Sequence, residues 1–242
     1  MREKPRPLTL VFSCEHGGNE VPKAYRHLFV GADAVLASHR GWDPGTLPLA
    51  KFLAQKFNAP LVSSTVTRLL VELNRSRHHR SLFSDWSKPL PPAEKEQVLG
   101  KYYYPYRTQL TELIAQRIAA KQRVLHISVH SFTPELNGQK RNFEIGLLYD
   151  PTRKPEQEFC LKWQQQLESL APDWRIRRNA PYRGAADGLT TALRKQFHET
   201  DYLGIELEVN QLIADGSTEI QKMLRRVITT SLQELTGKPT AS

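Results

Sequence analysis

RVLHISVHSF, residues 123–132, decides the reading of this chain. It is a near-continuous apolar run, short and rich in β-branched residues, which marks a central strand covered on both faces. A strand of that kind belongs to an α/β protein, and it delivers His130 to the sheet rim where such proteins place their chemistry. Two other segments repeat the pattern. LTLVFSCEHGGNE (residues 8–20) reads as a buried strand that leaves on His16 and a Gly17-Gly18 turn, and YLGIELEVNQ (residues 202–211) carries Glu206 and Glu208 near its end.

Around these three segments, apolar runs and amphipathic stretches alternate, as α/β architecture requires. LPLAKFLAQKF sets Leu47, Leu49, Ala50, Leu53, Ala54 and Phe57 on one helical stripe after an Asp43-Pro44 start signal. APLVSSTV, RLLVELN, FEIGLLYD and WRIRRN read as further strands. Ala93 to Ala119 reads as a helix that Gly100 and Pro105 split in two, and EQEFCLKWQQQLESL, GLTTALRKQF and EIQKMLRRVITTSLQEL as helices. No internal repeat or low-complexity linker divides the 242 residues, so one domain spanning 1–242 is expected.

Composition narrows the partners. With 34 basic and 25 acidic residues the formal charge is +9, which suits an anionic ligand. The basic clusters RSRHHR (75–80) and RIRR (175–178) lack interleaved aromatics, which argues against nucleic acid and for a small acidic substrate. Cys14 and Cys160 form no CxxC pair, so neither a disulfide framework nor a thiolate metal site is indicated. No apolar stretch reaches the ~18 to 20 residues of a membrane helix, and the apolar run near residue 10 is too short for a signal peptide, so a cytoplasmic protein is expected.

The chemistry centres on the two histidines. Catalytic zinc takes neutral imidazole and carboxylate ligands, usually three from the protein. His16 and His130 supply two, and Glu20, four residues past His16, or Asp43 in GWDPGT supplies the third. The bland alternatives are a turn-capping His16, a core His130 and an N-capping Asp43. Glu206 and Glu208 alternate with Ile205, Leu207 and Val209, so they share one strand face. On a covered strand, carboxylates need a cation, a metal or a proton. Glu206 is favoured as general base, with Glu208 as its support or substitute. Asn74 and Arg75 follow RLLVEL, where a guanidinium can hold a carboxylate in two parallel bonds. Tyr182 and Arg183 in NAPYRGAADG are placed to line a pocket.

Taken together, HGGNEVP, the Asp of GWDPGT, LNR at 73–75, VHSF around His130, APYRG and IELEVNQ resemble the N-formylglutamate amidohydrolase family, from about Leu8 to Leu235. The resemblance implies a three-layer α/β/α domain with a mixed, mostly parallel sheet like that of the zinc exopeptidases, including zinc carboxypeptidases and the succinylglutamate desuccinylase and aspartoacylase group. Those relatives have an Asn-Arg pair, a His-Ser after a central strand and a catalytic Glu in a late strand, which match Asn74 with Arg75, His130 with Ser131, and Glu206. Their metal-binding HxxE is one residue shorter than the His16-to-Glu20 spacing, and the resemblance implies no reliance on a Glu at that position, which raises Asp43 as third ligand. The implied activity is metal-dependent hydrolysis of N-formyl-L-glutamate, a late step of histidine degradation. Zinc is the implied cofactor, with another divalent metal as the substitute. Another N-acyl amino acid as substrate, or a non-catalytic relative, are the competing readings.

Overall fold

The computed structural model describes residues 6–238; residues 1–5 and 239–242, the ends of the expected domain, lie outside the described residues. The strands are β1 (Leu8–Cys14), β2 (Leu61–Ser63), β3 (Arg123–Phe132), β4 (Glu135–Leu136), β5 (Gln139–Lys140), β6 (Ile145–Leu148), β7 (Ile176–Arg178) and β8 (Tyr202–Asn210). The α-helices are α1 (Asp33–Ala37), α2 (Thr46–Lys56), α3 (Pro92–Val98), α4 (Tyr104–Ala119), α5 (Lys154–Leu170), α6 (Leu189–Gln196), α7 (Gln211–Ala214) and α8 (Thr218–Thr236).

Six strands form one mixed sheet in the order β2-β1-β3-β8-β6-β7, while β4 and β5 make a separate hairpin. β2, β1, β3 and β8 run parallel to one another; β6 turns antiparallel to β8, and β7 follows β6 in parallel. Helices α2, α5 and α8 cover one face through Leu53, Trp163 and Ile228, among others. Helices α3, α4 and α6 cover the other through Val98, Leu110 and Leu193. The architecture is therefore α/β in three layers, as RVLHISVHSF implies: every residue of β3 from Val124 to Phe132 is buried.

Three segments depart from the sequence expectation. RLLVELN is not a strand but a buried run of turns that packs its leucines under α4. Its apolar pattern reports burial in the helical layer, which a strand pattern cannot be told from by periodicity alone. APLVSSTV pairs only over Leu61–Ser63, with a lone bridge from Val66 to Glu20. The helix from Pro92 to Ala119 is continuous, because a π-helical turn at Leu99–Tyr103 precedes Pro105 and takes up the break in the hydrogen-bond ladder.

Candidate active site

The sheet carries its chemistry on one face only. Alternation in β3 puts Leu125, Ile127 and Val129 against α2, α5 and α8 and turns His126, Ser128 and His130 the other way. In β8, Leu203, Ile205, Leu207 and Val209 join the same apolar face, leaving Gly204, Glu206 and Glu208 opposite. The parallel register sets Ser128 beside Glu206 and His130 beside Glu208. His130 does not end its strand, since pairing of Phe132 with Asn210 carries β3 two residues further.

His16 lies in the turn two residues beyond β1. The glycines after it are required by close approach: a Cβ on Gly17 would meet the Ser64 carbonyl oxygen at 2.9 Å, and one on Gly18 the Thr65 oxygen at 2.7 Å. The His16 carbonyl accepts the Asp43 amide at 2.9 Å, which docks GWDPGT against this turn. Asp43 makes no side-chain cap on α2; Gly45, in the left-handed region at φ 78°, precedes that helix instead.

Asp43 faces both histidines. Its Oδ2 lies 3.2 Å from His16 Nδ1 and 2.9 Å from His130 Nδ1. One ligand atom from each of His16, Asp43 and His130 falls within 4.8 Å of the others, and all three residues are buried. The structure does not bring Glu20 to this group: it is exposed and accepts a hydrogen bond from the Thr65 hydroxyl at 2.8 Å. Each histidine also meets a carboxylate through its far nitrogen. His16 Nε2 lies 2.5 Å from Glu72 Oε1, and His130 Nε2 lies 3.1 Å from Glu15 Oε2. Arg68 spans Asp43 at 3.1 Å and Glu72 at 2.6 Å.

The charges of this nest have a simple inventory. Three carboxylates (Glu15, Asp43, Glu72) against one guanidinium (Arg68) leave two negative charges in a buried volume. Protons answer that demand in the chain by itself. Burial would lower the pKa of His130, but its hydrogen bonds to Asp43 and Glu15 raise it well above the ordinary value. For His16, burial and Arg68 act downward, and the Glu72 and Asp43 charges outweigh them. Burial would raise the carboxyl groups, yet Asp43 is held well below the carboxylate range by the two histidines and Arg68. A divalent ion brings the same two positive charges, and imidazole with carboxylate is the donor set zinc favours. Carboxylates behind both histidines complete the pattern of a supported metal site.

Glu206 and Glu208 line the same cleft. Glu206 Oε1 accepts the Thr190 hydroxyl at 2.6 Å. Glu208 has one oxygen, Oε2, buried without a hydrogen-bond partner. Burial raises the Glu208 pKa to about 7; His130 acts against the rise, while Asp43 and Glu206 add to it.

The cleft encloses about 490 Å³ and is walled by Asn74, Arg75, Tyr182, Arg183 and Asp187, with Arg40 and Arg68 among its other cations. Arg75 donates to the Asp187 backbone carbonyl, and the Ser76 amide donates to the Asp187 carboxylate at 2.9 Å. Asn74 Oδ1 accepts the first amide of α6, from Leu189, at 2.7 Å. The loop bearing Tyr182 and Arg183 lies directly on β6, where a Cβ on Gly146 would collide with the Ala180 carbonyl. Tyr182 stands at the rim, 47% exposed, under the Arg141 guanidinium.

Sequence reasoning passed over Glu15, Arg68, Glu72 and Ser128. Glu72 carried a signal: it is the one acid inside the apolar RLLVELN, and a buried carboxylate needs a partner. Glu15 stood beside His16 in the chain, but nothing in the sequence says that it reaches His130.

Fold and cleft together define a three-layer α/β protein that gathers its titratable groups on one face of a mixed sheet. The family profile described as N-formylglutamate amidohydrolase matches residues 8–213, and the chain belongs to that family. Among solved structures, it is similar to the gene product Atu2144 from Agrobacterium tumefaciens, with 29% identity and a TM-score of 0.78 over 93% of this chain and 91% of that one. It shares the fold of the N-formylglutamate amidohydrolase from Ralstonia eutropha JMP134, with 14% identity and a TM-score of 0.68 over 96% of each chain. A search of curated proteins finds no sequence match.

Proposed function

We propose that this protein is a metal-dependent hydrolase of N-formyl-L-glutamate or a closely similar acidic N-acyl amino acid. The observation that carries the reading is the buried His16–Asp43–His130 group, whose surrounding carboxylates demand two positive charges. These three residues would hold the ion, and when bound it supplies Lewis acidity toward the amide carbonyl and a lowered pKa for water. Zinc suits the donors best, with another divalent ion as substitute.

The remaining steps belong to the chain's own side chains. Arg75 and Asn74 bind a substrate carboxylate, and Arg183 with Tyr182 closes the opposite wall. Glu208 removes a proton from the attacking water. As the C–N bond breaks, it returns that proton to the leaving nitrogen, releasing formate and glutamate. Sequence reasoning favoured Glu206 for this task. The unpartnered oxygen of Glu208, its place beside His130 and its pKa of about 7 favour Glu208, with Glu206 anchored by Thr190 as its neighbour.

Among the described residues no helix is long and apolar enough to cross a membrane, and both cysteines are free and buried. A reducing, cytoplasmic setting and a role late in histidine breakdown fit this reading. The test is zinc content by elemental analysis, followed by formate release from N-formyl-L-glutamate with and without chelator. About one ion per chain and chelator-sensitive release are expected. Metal without formate release would move the substrate to another N-acyl amino acid, and no metal after loading would sink the mechanism and leave a non-catalytic relative.

A further inference from the structure

We propose that Glu15 is a positioning residue that decides which ring nitrogen of His130 faces the metal; this rests on the metal-dependent reading above. Glu15 precedes His16 in the chain, yet its side chain serves the other histidine. It is completely buried, and its carboxylate takes hydrogen bonds from the Tyr106 hydroxyl at 2.8 Å and the Ser128 hydroxyl at 2.5 Å. Its ion-pair partner is His130, with Nε2 at 3.1 Å. Glu72 differs, because Arg68 compensates its charge as well as His16 does.

A purely structural acceptor for Tyr106 and Ser128 need not be ionic, and a buried carboxylate with no arginine or lysine is costly. The charge of Glu15 is explained by what it does to His130. The single hydroxyl proton of Ser128 is directed to Glu15, so the Ser128 oxygen, 2.9 Å from His130 Nε2, meets that nitrogen as an acceptor too. With acceptors on both approaches, Nε2 carries the hydrogen. The lone pair of Nδ1 is then left facing Asp43 and His16, where the ion binds. Glu15 thus fixes the tautomer of one ligand while its sequence neighbour supplies another.

The test compares wild type, Glu15→Gln and Tyr106→Phe by zinc titration against a chromophoric chelator. Thermal unfolding and nitrogen-15 spectra of labelled histidine are recorded on the same samples. Glu15→Gln should weaken zinc binding ~10- to 100-fold. Tyr106→Phe removes a bond to Glu15 without touching His130, so it should lower thermal stability and leave zinc affinity within about threefold of wild type. Zinc-loaded wild type should show His130 protonated at Nε2 and coordinated through Nδ1. Zinc affinity of Glu15→Gln within about threefold of wild type, or His130 coordinated through Nε2, would overturn the role; the second readout stands even if Glu15→Gln does not fold. Wild type that binds no zinc would overturn the metal reading itself, which separates the two failures.

Discussion

The two faces of β3 and β8 are built from alternate residues of the same strands, and they do opposite work. One presents Leu125, Ile127, Val129, Leu203, Ile205, Leu207 and Val209 to three helices and is apolar over that run. The other presents His126, Ser128, His130, Glu206 and Glu208, all buried, and needs hydrogen bonds and compensating charge at nearly every position. The apolar face supplies cohesion that varies smoothly with area removed from water. The polar face gains little net stability from its contacts, because each carboxylate surrendered hydration to be there. Rigid backing by the first face is what lets the second keep such costly groups in one arrangement.

The sharpest way to break this comparison is Glu208→Gln. It should cut turnover ~10²- to 10⁴-fold while the fold and bound metal persist, measured by formate release and zinc content. Retained turnover would return proton transfer to Glu206. On the apolar face, Ile205→Ala, next in the chain to Glu206, should cost ~2 to 5 kcal/mol of stability in denaturant unfolding and leave zinc affinity unchanged. A matched loss of zinc affinity would show that the faces do not separate.

A smaller effect concerns pH. Burial raises the folded pKa of Glu208 to about 7, above its ordinary 4.5. The protonated carboxyl is therefore favoured by folding. The stability it contributes is complete below about pH 4.5 and is lost as pH rises through about 7. In metal-free protein, the stability gap between wild type and Glu208→Gln should widen against wild type by about 3 kcal/mol across that window. Parallel pH profiles for the two would remove the raised Glu208 from the account. His16 and His130 are raised as well and lose stability with rising pH in both proteins.

Much of this layout was legible because strand alternation is a local rule. LTLVFS, RVLHISVH and YLGIELEV read as buried strands, and the spacing of Glu206 and Glu208 alone places both on one face. RLLVELN misled for a physical reason: a run buried under helices has the same composition as a buried strand, and only a missing pairing partner tells them apart. The same misreading hid Glu72, which as a strand residue would have had no reason to meet His16.

What the sequence determined by itself was the α/β class, the strand that leads to His16, the strands that carry His130, Glu206 and Glu208, and the polar character of one sheet face, all of which follow from the two-residue period of a strand. Tertiary structure alone decided that Asp43 rather than Glu20 joins the two histidines, and that Glu15 and Glu72 stand behind them. It also decided that Glu208 keeps an unpartnered oxygen. Those outcomes depend on distances between residues far apart in the chain, set by parallel register and by glycines that let one backbone lie against another, and no local pattern encodes them.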